Sequence, residues 1–357
     1  MSGQSEAETV LSVADLRVDF TTQAGVVHAV RGISFDLAAG EVLAVVGESG
    51  SGKSVSARAA LGLLPGNATV DGSILLGTEQ LVGLSEQRLR RIRGNDITMV
   101  FQDPMTCLDP TMSVGNQIAE PLLLHKVATR RDVSASVVEL LTRVGIENPE
   151  RRRKQYPHMF SGGQRQRIAI AIAIACRPRV LLADEPTTAL DVRVQAQILS
   201  LLGELRRENA MAMVFITHDL GVVAGIADRV AVMYAGRIVE IGTTDEVFYH
   251  PQHPYTWGLL GSLPGSGQTA AQLYAIPGAP PGPYAQIHGD AFAPRNPYAQ
   301  RIDWEQEPPL FPVSATHYAA TWLLAPDAPT VNPPPEIAKR WRKYAEFTPL
   351  GTKVDVS

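Results

Sequence analysis

The chain has 357 residues, 45% hydrophobic and 19% charged, which is the balance of a globular protein of two or three structural units. Its formal net charge of -4 lacks the basic excess of a chain that grips nucleic acid. The opening MSGQSEAETV has no basic-then-apolar order, so no signal peptide is expected, and no apolar run reaches the roughly 18 residues of a membrane span.

Residues 11–46 read as β-rich. Leu16-Arg17-Val18-Asp19-Phe20 alternates, and Val42 to Val46 is a short apolar run of the kind found in buried strands. A helix is expected from Lys53 to Leu64, and a strand at Ile97 to Phe101. Residues 113–177 have helical character, with an amphipathic stretch at Val133 to Val144. A strand at Val180 to Ala183, a helix at Val192 to Glu208, and strands at Met213 to Ile216 and Val230 to Tyr234 follow. Strands alternating with helices predict a largely parallel α/β sheet with a helical block inserted between residues 103 and 178. After Ile241 the composition shifts: 18 of the 26 prolines lie there, and Pro277 to Pro283 can only be an extended connector.

Cys107 and Cys176 lack metal-ligand spacing and read as packing thiols. The basic runs Arg88 to Arg93 and Arg151 to Lys154 read as solvated surface, with contact to a partner or anionic headgroups as the sharper alternative.

Three motifs carry chemistry. Gly47-Glu48-Ser49-Gly50-Ser51-Gly52-Lys53-Ser54 fits G-x-x-x-x-G-K-[ST] and sits between an expected strand and an expected helix. Glycines let the backbone aim N–H groups at phosphate oxygens, and the helix N-terminus adds partial positive charge. Lys53 should reach the β- and γ-phosphates, and the Ser54 hydroxyl should ligate Mg2+. Position 55 carries no assignment. The second motif is Val180-Leu181-Leu182-Ala183-Asp184-Glu185. It puts Asp184 at the C-terminal edge of a buried strand, where ligands of open α/β sheets gather. Asp184 can hold Mg2+ through water, and Glu185 can polarise a water against the γ-phosphate. The third, Ser161-Gly162-Gly163-Gln164, opens an expected helix. It is either a simple N-cap or a second anion site.

In this order, and followed by Ile216-Thr217-His218-Asp219, these motifs resemble the ATP-binding cassette family over about residues 11–245. The resemblance implies a P-loop α/β cassette core at 1–102 and 179–245, an α-helical signature subdomain at 103–178, and a Pro-rich C-terminal extension at 246–357. It implies ATP and Mg2+ as substrate and cofactor. Phe20 matches the aromatic that stacks on adenine, and Gln102 the glutamine that senses Mg2+ and γ-phosphate. Asp191 matches the D-loop, and His218 the switch histidine. In such a family two cassettes close head to tail, so Ser161 to Gln164 of one chain face the P-loop of the other. Phe160 stands where leucine is commoner and reads as a packing change.

His253-Pro254-Tyr255-Thr256, Ser262-Leu263-Pro264 and Ile276-Pro277-Gly278 are similar to the peptide-importer branch, as are FQDPMTCLDP and ADEPTTALDV. Many members of that branch hold an iron–sulfur cluster on four tail cysteines. Here Asp290, Asn296, Asp303 and Thr321 fall at those positions, so no cluster is expected. A hard-metal site from Asp290, Asp303 and His317 is the alternative to a tail held by packing and hydrogen bonds.

The resemblance implies an ATPase at the cytoplasmic face of the cell membrane. It would work with two permease chains, with a second cassette that is either a different chain or another copy, and indirectly with a solute-binding protein. No nucleic acid is expected. Two other readings stay open: an ATPase of a soluble complex, such as a carbon–phosphorus lyase or a translation or repair assembly, and an exporter cassette. The extension after Pro251 separates the first of these from an importer subunit.

Overall fold

The computed structural model of the protein describes residues 8–103, 107–188, 190–263 and 276–347. Near the N-terminus, β1 (Thr9–Thr22) and β2 (Gly25–Ala38) pair antiparallel. With β4 (Ala68–Leu76) and β5 (Glu79–Gln80) they form a four-stranded sheet in the order β2-β1-β4-β5. The short apolar runs go elsewhere. β3 (Val42–Val46), β6 (Ile97–Val100), β7 (Val180–Asp184) and β8 (Ala212–Thr217) are buried at every position. Such burial on both faces marks a parallel sheet covered by helices.

That second sheet continues through β9 (Arg229–Tyr234), β10 (Arg237–Thr243), β11 (Phe311–Pro312) and β12 (Tyr318–Ala319). Its order is β11-β12-β10-β9-β3-β8-β7-β6, parallel from β9 to β6 and antiparallel at the β10-β12-β11 edge. Successive residues of a strand point to opposite faces. Val180 and Leu182 therefore join the core shared with β1, β2 and the helix Lys53–Ala60. Leu181 and Ala183 join the core shared with the helices Val114–Leu124, Val133–Arg143, Gly162–Ile174 and Val192–Asn209.

The helix after Gly52 is shorter than its apolar pattern suggests. It ends at Ala60, because Gly62 turns the chain at φ 60°. Cys176 is half-buried, whereas Cys107 is exposed and so is not the packing thiol expected of it. The first basic run is largely taken up internally: Arg88 pairs with Glu79, and Arg90 and Arg93 with Glu86. Ala189, Pro264 and residues 104–106, which belong to segments quoted for the branch resemblance, lie outside the described residues. Among the described residues, no helix is long and apolar enough to cross a membrane.

The C-terminal residues share the sheet and its core. β12 extends β10, and Val230, Val232 and Tyr234 pack with Tyr255, Trp257, Phe292 and Ile337. The buried carboxylate of Glu240 on β10 accepts the backbone N–H of Gln252 (2.6 Å) and of His253 (3.1 Å). It also meets His317 Nε2 at 2.8 Å, with both side chains fully enclosed. His253 in turn caps the helix Pro254–Gly261, whose first residue is a proline suited to that position. Phe292 lies 5.3 Å from Tyr234 and 5.4 Å from Tyr255, centroid to centroid.

Replacing this shared ring leaves a cavity between the extension and β9. Phe292→Ala is expected to cost about 3–5 kcal/mol in urea unfolding. A cost below about 1 kcal/mol would mean that the extension does not share the cassette's core.

Candidate functional site

The loop between β3 and the helix Lys53–Ala60 closes around tight backbone approaches. A Cβ on Gly47, at φ 152°, would fall 2.1 Å from the Met233 carbonyl oxygen. One on Gly52, at φ 99°, would fall 2.5 Å from the Ala29 carbonyl oxygen. Only glycine fits either place. Lys53 is buried, and its Nζ donates to the carbonyls of Gly47 (2.7 Å) and Glu48 (2.8 Å). Burial lowers its pKa, against the nearby charges of Glu185, Asp184 and Glu48.

The Ser54 hydroxyl donates to Asp184 Oδ1 at 2.7 Å. Asp184 ends β7 fully buried, and its Oδ2 has no hydrogen-bond partner. Burial pushes its carboxyl pKa up. An unpaired, enclosed carboxylate oxygen beside a serine hydroxyl is an all-oxygen donor set that fits a hard cation such as Mg2+.

Glu185 leaves the strand through a left-handed backbone at φ 47°, rare for a residue with a Cβ. Its carboxylate gathers three side chains: Gln102 Nε2 (3.1 Å), Thr188 Oγ1 (2.8 Å) and His218 Nδ1 (3.3 Å). A cavity of about 910 Å³ is lined by Phe20, Ser49, Gly50, Ser51, Gly52, Lys53, Ser54, Gln102 and Glu185. The structure thus brings together the P-loop, the strand-end carboxylates, the glutamine, the histidine and the aromatic.

Ser161 to Gln164 and Asp191 do not line this cavity. Ser161 caps the helix Gly162–Ile174 in a reciprocal box with Gln164, and Asp191 caps the helix Val192–Asn209. A Cβ on Gly163 would strike Val194, so this glycine is also needed for packing. Phe160 is buried in the core, with the Arg152 guanidinium 4.4 Å above its ring.

The four tail positions are buried caps. Asp290 accepts from Phe292 N, Asn296 from Tyr298 N, Asp303 from Gln300 N and Thr321 from Leu323 N. Among the described residues, no three His, Cys, Asp or Glu side chains gather to hold a metal ion. His317 faces Glu240 instead of the two aspartates, which corrects the hard-metal alternative.

Sequence reasoning missed several residues at the cavity. Thr188 steadies Glu185. Glu48 of the P-loop pairs with Arg295, which lies 247 residues away, and its backbone N–H reaches the Tyr255 hydroxyl (2.9 Å). Residues 281–288 of the extension line the same space. Arg295 lies next to Asn296, one of the four tail positions, but nothing local to it points to the P-loop.

Two family models match the chain. "ABC transporter" covers residues 30–188, and "Oligopeptide/dipeptide transporter, C-terminal region" covers residues 239–302. The chain is 54% identical to the dipeptide transport ATP-binding protein DppD of Lactococcus lactis subsp. cremoris, over 95% of this chain and 98% of that protein. It is 54% identical to the oligopeptide transport ATP-binding protein OppD of Bacillus subtilis, over 94% and 95% respectively. Among solved structures, the dimeric ATP-binding cassette MJ0796 bound to ADP and Pi matches with a TM-score of 0.60 at 26% identity, covering 66% of this chain and 98% of its own.

Asp290 carries a pH signature. Burial pushes its carboxyl up to about 7, and the charges of Asp303 and Glu307 add to the shift. The folded-state value lies above the unfolded one of about 3.9, so the native protein binds a proton that the unfolded chain releases. Its contribution to stability is fully present below about pH 4 and is lost as pH rises through about 7. Asp290→Asn keeps the capping oxygen and removes the charge. It should melt higher than the parent at pH 8 and match it near pH 4. A pH-independent difference would exclude this titration.

Proposed function

This chain belongs to the ABC transporter family, and on that premise we propose that it is the ATP-hydrolysing subunit of an importer for peptides or related small solutes. The observation that carries this reading is a cavity lined by the P-loop, Gln102 and Glu185, with Asp184 bonded to Ser54 and His218 beside Glu185. The match of residues 239–302 to the peptide-transporter C-terminal region, together with the relatives' names, favours an importer of that class over a soluble assembly.

The chain divides into a cassette core at 1–102 and 179–245, a helical signature subdomain at 103–178 and the extension 246–357. The N–H groups of residues 49–54 cradle the phosphates. The Lys53 ammonium exchanges its two loop carbonyls for β- and γ-phosphate oxygens, and Phe20 offers its ring to the adenine. Ser54, Asp184 and Gln102 would hold Mg2+, which neutralises phosphate charge when bound. Glu185, kept oriented by Gln102 and Thr188, takes the proton of the attacking water as it approaches the γ-phosphate. His218, beside the other carboxylate oxygen, contacts the γ-phosphate.

The chain's own signature, Ser161 to Gln164, does not line the cavity. The same residues of a second cassette close over it, and Asp191 lies at the contact between the two. The second cassette is either a different chain, giving a heterodimer, or another copy. Two permease subunits hold the pair at the cytoplasmic face of the membrane, and an extracytoplasmic binding protein delivers the cargo.

Glu185→Gln should bind ATP as the parent does, while phosphate release by the assembled complex falls at least about 100-fold. Turnover near the parental rate would remove Glu185 from the base role. The transport reading has its own test. The tagged chain, extracted gently from its native membranes, should bring down two multi-span permeases and a second cassette protein. Recovery only from the soluble fraction, with ribosomes or metabolic enzymes, would overturn that reading and leave the ATPase standing.

A further inference from the structure

The extension meets the candidate site in two places, at the P-loop residue Glu48 and in the cavity wall beside Phe20. At the phosphate end, Arg295 is 6% exposed and forks onto Glu48, with Nη1 to Oε2 at 2.8 Å and Nη2 to Oε1 at 3.0 Å. Its Nε donates to the Pro277 carbonyl at 2.8 Å, and Nη1 also reaches the Tyr234 hydroxyl at 3.3 Å. Tyr255 accepts the Glu48 backbone N–H. Glu48 is the second residue of the phosphate loop, and both its carboxylate and its backbone donor are therefore held by residues from beyond position 250. A two-bond guanidinium–carboxylate fork fixes orientation as well as distance.

At the other end, the connector that starts from Pro277 carries residues 281–288 into the cavity wall that contains Phe20. Tyr284 donates to or accepts from Thr22 Oγ1 at 3.1 Å, and its ring lies 3.8 Å from the point where a Gly25 side chain would begin. Both contacts fall on the turn between β1 and β2, two and five residues beyond Phe20. The Tyr284 ring is still half exposed. It presents a flat π-face and a hydroxyl to a cavity that already has an aromatic on β1. Its prolines restrict the connector before any ligand arrives, which reduces the ordering cost of binding.

We propose that the C-terminal extension is a working part of the nucleotide site, with Tyr284 a second contact for the base or ribose and Arg295 a positioning residue that holds the phosphate loop through Glu48. The proposal rests on the reading of this cavity as the ATP site. Phe20 and Tyr284 grip the base end from two distant parts of the chain, and the Arg295 fork keeps Glu48, and with it the start of the loop, in register.

The two ends separate with two probes. The full-length protein is titrated by calorimetry with ATP and, in parallel, with inorganic tripolyphosphate, which has the charge but no base. Tyr284→Ala should weaken ATP about tenfold, the scale of one base–aromatic contact, and leave tripolyphosphate unchanged. Arg295→Lys keeps the charge and loses the fork. It should weaken ATP and tripolyphosphate alike, while melting shows the fold intact. If that variant does not fold, Glu48→Gln tests the same contact from the loop side and should weaken both probes. Parental ATP affinity in Tyr284→Ala, or an equal loss for tripolyphosphate, overturns the base contact. Parental affinity for both probes in the fork variants overturns the positioning role. A parent protein that binds neither probe would instead sink the ATP-site reading.

Discussion

A phosphate cradle must turn its N–H groups outward while the backbone behind it is packed against something rigid. Here that support is a pair of backbone approaches that leave no room for a side chain: Gly47 against the Met233 carbonyl of β9, and Gly52 against the Ala29 carbonyl of β2. The Gly236 N–H bonds Ser51 O, and the Arg31 N–H bonds Gly236 O, so the loop is tied into the turn between β9 and β10 and to β2. The two sheets meet at this loop. Its shape is therefore set by strands on both sides of it and not by the eight residues of the motif alone.

This division explains what could be read from the chain. Lys53, Ser54, Asp184 and Glu185 stand beside strand and helix signals that fix their place, since a fully apolar run ending in a carboxylate can only be a buried strand end. The boundary after Ala60 was not legible, because the apolar pattern continues to Leu64 while a left-handed glycine ends the helix first. Thr188 and the left-handed backbone of Glu185 depend on how β7 meets β8 (Glu185 N bonds Ile216 O), which no local pattern announces. The pairing of Glu48 with Arg295 joins residues 247 apart. A single sequence carries no signal for such a contact; only the folded core around Phe292 brings it about.

The extension also shows how polar residues can be buried at low cost. Asp290, Asn296, Asp303 and Thr321 each satisfy a backbone N–H within three residues, so each stabilises a local turn. What fixes those turns to the cassette is different in kind: the aromatic core of Phe292, Tyr234 and Tyr255, and the Glu240 carboxylate, which collects three donors inside it. A buried carboxylate with every oxygen engaged specifies one arrangement, because any other leaves a charge unpaired. Glu240 therefore accounts for a defined docking of a proline-rich segment that has little regular secondary structure.

The catalytic side follows the same logic with the opposite outcome. Glu185 is well held, by Gln102, Thr188 and His218, but Asp184 keeps one oxygen enclosed and unpaired, and Lys53 donates only within its own loop, to the Gly47 and Glu48 carbonyls and the Ser51 hydroxyl. The Asp184 oxygen is left with capacity that a cation would use, and the loop contacts of Lys53 are ones that phosphate oxygens would replace. The Ser161 to Gln164 helix start, capped by its own Ser161, is outside the cavity. On the proposed function, a site with Glu185 in place and Ser161 to Gln164 outside its cavity would bind nucleotide before it could close on it. Hydrolysis would then wait on a second cassette, and that delay would allow ATP consumption to be coupled to an event in other subunits.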